Sequence, residues 1–394
     1  MVLKNRTPVH HNASRVPVQR AALTQHHMYI LKLLCVLILI ANCFGQAPLA
    51  AQASKDASSS STQQEIEVRK GIAERTAASR SRNTIRKGFM DSEGDLWFST
   101  NHGVLRYDGK SFTNLSAKDG LSDDQITSIM QDRSGDMWFG TPDGLCRFDG
   151  ESFTHVPIPY TEKSSSWLDR VYPIANPNQV TSMLQDQSGI FWIGTNGGGA
   201  YRYDGTIFTS YLADHGRLQT DGLHHNVIPS VAEDSNGNIW FTSLTHGGVS
   251  RFDGSTMRHF TAEDGLSDDM MISAYVDKSG KVWFGSLGNR MGGLDRFDGK
   301  SFTNFHLGDG LSSANIIAIF EDSKGTIWVG SQRGSLCTFD GKRFTPFVAG
   351  QGQTFEFINF ILEDAQSNIW FGGDGGQLFR YSGETLTDYS IESK

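Results

Sequence analysis

The sequence predicts an all-β protein, and three observations support this fold class. One short motif recurs seven times, each copy contains four short apolar runs separated by turn residues, and the composition is rich in the residues that turns and strands need. The chain has 394 residues, including 43 Gly, 25 Phe and 8 Trp, whereas glycine usually makes up about 7% of a protein. This composition excludes a disordered chain, a collagen, a coiled coil and a polytopic membrane protein.

The charge of the chain bears on the partners that it can bind. Its formal net charge is −8. The first 88 residues are rich in Lys and Arg, so the remainder is more acidic than the whole. An acidic protein repels the phosphate backbone of nucleic acids. We therefore expect no nucleic-acid partner.

Residues 1–53 are predicted to form a signal-peptide region that is cleaved or lipidated. The apolar run at 28–41 (MYILKLLCVLILIA) has the length of the central segment of a secretory signal rather than that of a membrane span. Small residues that suit cleavage follow it, and Cys43 ends a segment similar to a bacterial lipobox, so a lipid anchor at Cys43 is a second prediction. A retained signal anchor is the third, and Met28 is an alternative start to Met1. Each of these predicts an extracytoplasmic protein: periplasmic, secreted or an outer-surface lipoprotein.

The rest of the chain divides into a linker and a repeat region. Residues 54–84 are Ser-rich and polar and lack apolar periodicity, which is typical of a linker. Residues 85–394 contain seven copies of the pattern D-x-x-G-x-x-W. The tryptophans of the copies are Trp97, Trp138, Trp192, Trp240, Trp283, Trp328 and Trp370. The aspartates six residues before them are Asp91, Asp132, Asp186, Asp234, Asp277, Asp322 and Asp364.

The residue types of this pattern suggest structural roles. Each Asp is predicted to close its own turn by accepting hydrogen bonds from backbone amides rather than to bind calcium. The Gly is predicted to adopt a positive φ, and in the last copy we expect Asn368 to take that position, since Asn tolerates it. Identical placement of the Trp in every copy predicts a core position between neighbouring units.

Each copy is expected to form four strands, as the second copy shows. Strand A is predicted at 126–130, strand B at 137–141, strand C at 145–148 and strand D at 152–154. One four-stranded sheet every 40–45 residues or so is the period of a propeller blade. The sequence therefore predicts a seven-bladed β-propeller of four-stranded antiparallel blades at 85–394, with an open solenoid as the alternative.

Closure of the predicted ring has two alternatives. The first copy begins with strand A (84–90) and the last ends with strand D (385–390), so no strand is left to be exchanged between them. Closure then depends on face-to-face packing of the first and last blades. Alternatively, a piece of residues 64–80, such as 66–68, adds to an edge.

The repeats, typified by residues 126–148 (ITSIMQDRSGDMWFGTPDGLCRF) and the D-G-L-S segments at 119–122, 264–267 and 309–312, resemble the two-component regulator propeller repeat. Members of that family look like extracytoplasmic sensor regions of bacterial hybrid histidine kinases, where propellers receive an external ligand, often a glycan fragment. The resemblance implies a sensor-type binding module with a small-molecule or glycan ligand, or a membrane sensor kinase as partner. No kinase sequence follows the repeats here, so only the binding half is expected of this chain.

Strand direction predicts where a ligand would bind. B–C loops and D–A connections share one face of the ring, here called the top face, while A–B and C–D turns share the other, the bottom face. The top connections vary most, with the largest insertion between Val156 and Gln179, and variation on one face of a repeat array is typical of a binding surface. The predicted ligand-binding residues on the top face are Tyr160, Trp167, Arg170, Tyr172, His224, His246, Arg290, Arg333 and Phe355. The aromatic residues suit stacking on sugars, or else hold the long connection to the propeller, and Arg290 and Arg333 suit a carboxylate.

Catalysis and metal binding are weaker interpretations. No nucleophile or phosphate-binding motif occurs, so we predict no catalytic residue and no cofactor. His102, His224, His225 and His246 are candidates for a metal site, but adjacent residues of an extended segment face opposite ways, so no metal is predicted. Cys146 and Cys337 are expected to be free, buried thiols. The alternative functions are a propeller lyase resembling streptogramin B lyases and a protein–protein interaction scaffold.

Overall fold

The computed structural model shows a ring of seven blades. It describes residues 83–159, 175–212, 224–287, 292–332, 334–349, 352–353 and 355–391. These residues form seven four-stranded sheets, each with its strands antiparallel and in sequence order. The prediction of an all-β, seven-bladed β-propeller is therefore confirmed. The predicted signal region, the lipidation site Cys43 and nearly all of the linker lie outside the described residues, so they remain predictions.

The blades follow one another along the chain, and each consists of strands A to D. Blades 1 to 3 are β1 (Ile85–Met90), β2 (Leu96–Thr100), β3 (Gly103–Tyr107) and β4 (Phe112–Leu115); β5 (Ser128–Gln131), β6 (Met137–Thr141), β7 (Gly144–Phe148) and β8 (Phe153–Val156); and β9 (Asn176–Gln185), β10 (Phe191–Asn196), β11 (Ala200–Tyr203) and β12 (Phe208–Tyr211). Blades 4 and 5 are β13 (Val231–Glu233), β14 (Ile239–Thr242), β15 (Val249–Phe252) and β16 (Met257–Phe260); and β17 (Met271–Val276), β18 (Val282–Ser286), β19 (Leu294–Phe297) and β20 (Phe302–Phe305). Blades 6 and 7 are β21 (Ile316–Glu321), β22 (Ile327–Ser331), β23 (Cys337–Phe339) and β24 (Phe344–Pro346); and β25 (Ile358–Glu363), β26 (Ile369–Gly373), β27 (Leu378–Tyr381) and β28 (Leu386–Asp388).

Short 3₁₀ helices complete the secondary structure of the described residues. They lie at Ala117–Asp119, Ala262–Asp264 and Leu307–Asp309, each in the connection from strand D to the next strand A. The part of the chain that the structure describes contains no helix with the length and apolar content of a membrane span.

The A–B turn of each blade is closed by its aspartate. In blade 1, Oδ1 of Asp91 accepts the amides of Glu93 and Asp95, while Oδ2 accepts the indole N–H of Trp97. The same indole–carboxylate bond occurs in all seven blades, with N–O distances of 2.7 to 2.9 Å. The predicted turn closure is therefore confirmed. The sequence analysis missed that the same carboxylate also fixes the Trp ring.

The prediction for Asn368 is wrong by one residue. Ser367, three residues before Trp370, has a φ of 61°, which is the left-handed conformation of the glycines in the other copies. The amide group of Asn368 instead donates to both carboxylate oxygens of Asp364, at 3.0 and 2.8 Å. A serine thus takes a backbone conformation that favours glycine.

The core lies between the blades. Each Trp of the repeat is 5% exposed or less. Six of them pack against an aromatic ring of the following blade, as Trp97 does against Phe139 (ring centroids 5.9 Å apart), and Trp328 packs against Phe347 in the connection that leads to blade 7. This confirms the predicted core role of the tryptophans. Cys146 and Cys337 are both buried and free, as predicted.

The ring closes by direct packing of blades 1 and 7. Strand A of every blade contacts strand A of its neighbours, including β1 with β25. Phe98 packs against Phe360 and Trp370 with ring centroids 5.6 and 5.7 Å apart. Gly88 makes this approach possible, because a Cβ there would lie 2.5 Å from Leu362 and 2.6 Å from Phe360. Face-to-face closure is thus observed, while residues 64–80 lie outside the described part of the chain.

Hydrogen bonds also join neighbouring blades on the bottom face. The amide after a turn aspartate donates to the side chain that precedes the next blade's aspartate. The pairs are Ser92 with Gln131, Arg133 with Gln185, Gln187 with Glu233, Lys278 with Glu321, and Ser323 with Glu363. The repeat therefore encodes contacts between blades as well as its own turn.

Candidate functional site

The structure brings two predicted top-face residues together at blade 4. His224 lies in the connection from blade 3 to strand A of blade 4, and His246 lies in the B–C loop of blade 4. His224 is 6% exposed. Burial, together with the proximity of His246, lowers the pKa of His224 to about 4. His224 is therefore a neutral imidazole at physiological pH.

Two further histidines extend this group. The ring of His225, which is buried, lies 4.4 Å from the ring of His259 in β16. Nδ1 of His259 forms a hydrogen bond of 2.8 Å with the hydroxyl of Ser250 in β15. We call His224, His225, His246 and His259 the histidine cluster. The described residues contain no group of three His, Cys, Asp or Glu side chains arranged to hold a metal ion.

The B–C loop of blade 4 is built to support the cluster. At the end of strand B in most blades a Thr or Ser hydroxyl caps its own loop, as Thr141 does by donating to the carbonyl of Gly144. In blade 4, the hydroxyl of Ser243 donates instead to the carbonyl of His224 at 2.7 Å. Gly247 passes so close that a Cβ there would lie 2.3 Å from this carbonyl oxygen and 2.7 Å from the ring of His225. His246, just before it, has a positive φ of 65°.

The B–C loop of blade 3 supports the cluster from the other side. The amides of Gly197 and Gly199 donate to the carbonyl of Asn226 at 3.0 and 2.8 Å, and the amide of Gly198 donates to the Thr195 hydroxyl. These amides are therefore engaged within the fold. The segment from His224 to Asn226 is thus held between two loops of neighbouring blades.

Most of the other predicted site residues cannot be placed. Tyr160, Trp167, Arg170, Tyr172, Arg290 and Arg333 lie outside the described residues. Phe355 is described, and it is 2% exposed. Its ring packs against Phe371 and Phe379 in the core of blades 6 and 7, with centroids 4.9 and 5.1 Å apart. Phe355 is therefore a core residue and not a top-face contact, because the connection turns its side chain inward.

Sequence reasoning missed a buried carboxyl group near the top of blade 5. Asp295 in β19 is fully buried, and it accepts hydrogen bonds from the amide and hydroxyl of Ser267 and from the side-chain amide of Asn304. Burial raises the pKa of Asp295 to about 6, although these hydrogen bonds act in the opposite direction. The equivalent strand-C positions of blades 1 to 3 are Leu105, Cys146 and Tyr201. The sequence signal that could have revealed Asp295 was therefore a charged residue at a position where other copies of the repeat have uncharged ones.

Comparisons with known proteins place this site in context. Four segments, 120–143, 175–197, 222–245 and 310–333, match the family model described as two component regulator propeller. The third segment includes His224, His225 and Ser243 of the site. None of the curated proteins compared with the sequence is significantly similar to it.

Solved structures share the propeller fold. One is an extracellular domain assigned to a hybrid two-component system of B. thetaiotaomicron, with a TM-score of 0.59 and 21% identity, covering 77% of this chain and 40% of that one. A catalytically inactive virginiamycin B lyase from Staphylococcus aureus with quinupristin has a TM-score of 0.52 and 16% identity, covering 68% and 84%. YCF48 bound to the D1 peptide has a TM-score of 0.54 and 13% identity, covering 77% and 95%. At these identities the likeness is one of fold, and the chain spans less than half of the two-component domain.

Proposed function

Since four segments of this chain match the family model described as two component regulator propeller, we propose that it is an exported, sensor-type propeller that binds a small ligand on its top face. The ligand is a glycan fragment, and the partner that receives the signal is a membrane sensor kinase. An extracytoplasmic location, periplasmic or at the cell surface, follows from this role and from the apolar segment at 28–41.

The observation that carries the proposal is the contrast between the faces at blade 4. Every bottom turn uses one set of hydrogen bonds, which closure of the blade requires. At the top of blade 4, in contrast, Ser243, Gly247 and the histidine cluster depart from the pattern of the other blades and concentrate buried polar groups in one place. This departure lies on the face where the connections vary most, and convergent polar groups are typical of binding sites, so it supports a binding role.

The neutral state of His224 favours an uncharged, hydroxyl-rich ligand. His224 is neutral at physiological pH because its pKa is about 4. A neutral imidazole offers one donor and one acceptor, which match a sugar hydroxyl better than an anion. His246, only partly buried, is the member of the cluster proposed to contact the ligand directly.

Residues of the long connections complete the proposed site. Trp167, Tyr160 and Tyr172 are proposed to stack on sugar rings, since an aromatic face with a polar edge suits such ligands. Arg170, Arg290 and Arg333 are proposed to bind polar or acidic substituents, because a guanidinium offers paired donors.

A glycan array probed with the purified protein tests this function. We expect binding to a restricted set of oligosaccharides, and thermal stabilisation of the protein by the free form of those that bind. Trp167→Ala and Arg290→Ala are expected to abolish the stabilisation. Arg147→Ala, an equivalent change at an exposed arginine on the bottom face, is the matched control and is expected to keep it. An array without binding, or variants that respond as the wild type does, would contradict the proposal.

A further inference from the structure

A cavity lies on the bottom face, between blades 5 and 6. Its volume is about 470 Å³. It is bounded by the A–B turns of both blades and by the C–D turn of blade 6, and its wall includes Lys281, Trp283, Arg296, Lys324, Thr326 and Thr338. It therefore lies on the face opposite the histidine cluster.

Blades 1 and 2 show what the repeat normally places at this position. The arginine of strand C pairs with the aspartate two residues before the Trp. Arg106 pairs with Asp95 at 2.6 Å, and Arg147 pairs with Asp136. In each case the guanidinium Nε also donates to that carboxylate, at 2.7 Å. The repeat thus satisfies this arginine within its own blade.

Blade 5 replaces the aspartate with a second cation. Lys281 occupies the position of Asp95, so Arg296 has lost its internal carboxylate. Its guanidinium lies 5.3 Å from the ring centre of Trp283 and 5.4 Å from that of Phe305. Its Nε is buried and has no hydrogen-bond partner among the described residues. A buried donor without an acceptor is unfavourable, so an external acceptor here would stabilise it.

Blades 4 and 7 also lack the aspartate two residues before the Trp, but a neutral residue replaces it there rather than a cation. The position of Lys281 is taken there by Asn238 and Asn368, and both amide groups donate to the turn aspartates Asp234 and Asp364. Within the described part of the chain, the combination of a Lys and this Arg in the wall of a cavity occurs in blade 5, as Lys281 and Arg296.

The carboxylates around the cavity are already used by the fold. Asp277 accepts the Trp283 indole and the Ser279 and Lys281 amides, Asp340 accepts the Lys342 and Arg343 amides, and Glu321 accepts the Lys278 amide. In contrast, Arg296, Lys281 and Lys324 form no ion pair with any carboxylate of the described residues. The carboxylates are thus held by donors of the fold, whereas the three cations keep side-chain donors that no carboxylate of the described residues accepts.

We propose that this cavity binds the carboxylate of a small organic molecule, held by Arg296 and Lys281. A planar guanidinium presents paired N–H groups that match a carboxylate, and Lys281 adds a second positive charge beside it. The volume falls within the range of small-molecule sites, about 300–1,000 Å³, and it exceeds what an inorganic anion fills. This second site goes beyond the top-face function, since it uses other residues on the other face.

Calorimetric titration of the purified protein at low salt tests the site. The probes are acetate, succinate and glucuronate, with inorganic phosphate as the competing anion and glucose as the neutral analogue of glucuronate. We expect at least one carboxylate to bind, more weakly as salt is added, and glucose not to bind here. Lys281→Asp recreates the internal pair of blades 1 and 2 and is expected to weaken binding by about tenfold or more.

Two further variants keep the test decisive. Arg296→Gln is expected to weaken binding as Lys281→Asp does, which covers the case in which one of them is poorly folded. Lys300→Asp makes the same charge change at an exposed position in the C–D turn of blade 5, outside the cavity wall, and is expected to bind as the wild type does. The proposal is overturned if none of the carboxylates binds, if phosphate alone binds, or if Lys281→Asp and Arg296→Gln bind as tightly as the wild type.

Discussion

On the bottom face, seven A–B turns use the same aspartate to close the turn and to fix the tryptophan. On the top face, the corresponding loops differ from blade to blade, and in blade 4 the Ser243 hydroxyl donates to the carbonyl of His224 rather than to a carbonyl of its own loop. The ionisable groups differ in the same way. Hydrogen bonds outweigh burial and lower the pKa of Asp186 in a bottom turn, whereas burial dominates at His224 and Asp295 near the top.

This difference separates the bottom-turn positions, which the ring needs in order to close, from the top-loop positions, which are left for binding. Hydrogen-bond donors around the bottom-turn carboxylates hold the pKa of Asp186 and of Asp277 below its ordinary value, and the same indole–carboxylate bond recurs in all seven blades. The top groups are kept neutral by burial over part of the pH range, at a cost in stability that ring closure does not require.

Removal of a bottom-turn carboxylate should cost the most. Asp186→Ala leaves the Trp192 indole and the Ser188 and Ile190 amides without their acceptor, so the free energy of unfolding should fall by about 3 kcal/mol. Urea unfolding measures it. Asp204→Ala in the exposed C–D turn of the same blade is the control and should have a much smaller effect. Equal losses in the two variants would show that the Asp–Trp bond is not what sets the bottom turns apart.

The buried carboxyl of blade 5 should give a pH-dependent stability. The pKa of Asp295 is raised to about 6 from its ordinary value of 3.8, so the folded state keeps the carboxyl proton up to a higher pH than the unfolded state does. Its contribution is complete below about pH 4 and is lost as the pH rises through 6, by up to about 3 kcal/mol relative to Asp295→Asn. Urea unfolding of both proteins at several pH values measures the difference.

His224 provides the control of opposite sign. Its pKa is lowered to about 4 from 6.5, so its contribution is complete above about pH 6.5 and is lost as the pH falls toward 4. His224→Gln should remove this acid-side loss in the same unfolding experiments. If both variants changed the pH profile in the same direction, the assignment of neutral buried groups to the top face would be wrong.

The smallest effect concerns the last A–B turn. Ser367→Gly relieves the positive φ of 61° and should raise the free energy of unfolding by about 0.5–1 kcal/mol. Asn368→Gly is the matched control, and it should destabilise the protein because it removes two hydrogen bonds to Asp364. If Asn368→Gly stabilised the protein and Ser367→Gly destabilised it, Asn368 would be the residue with the positive φ, as the sequence analysis expected.

The sequence predicted the ring because the repeat fixes local structure. β6 matches the predicted strand at 137–141. β5 begins at Ser128, two residues later than predicted, because the start of strand A depends on its pairing with strand B and not on its own residues alone. The bonds between blades on the bottom face were missed because donor and acceptor come from different repeats, as with Arg133 and Gln185.

The site was predictable only in part. His224 and His246 were selected for their position in top connections, and the structure brings them together because the segment before strand A and the B–C loop of blade 4 lie at the same end of the blade. Phe355 was selected by the same reasoning and is a core residue, since burial of a loop side chain depends on the blades around it. The cation beside Arg296 was visible in the sequence, but its meaning requires the cavity.

Hydrogen exchange of the protein, with and without an oligosaccharide selected on the glycan array, shows which face of the ring the ligand covers. A ligand on the top face is expected to slow exchange of the amides at 224–226 and 243–246, and to leave bottom-turn amides such as those at 132–136 unchanged. Slower exchange confined to the bottom turns would contradict the account.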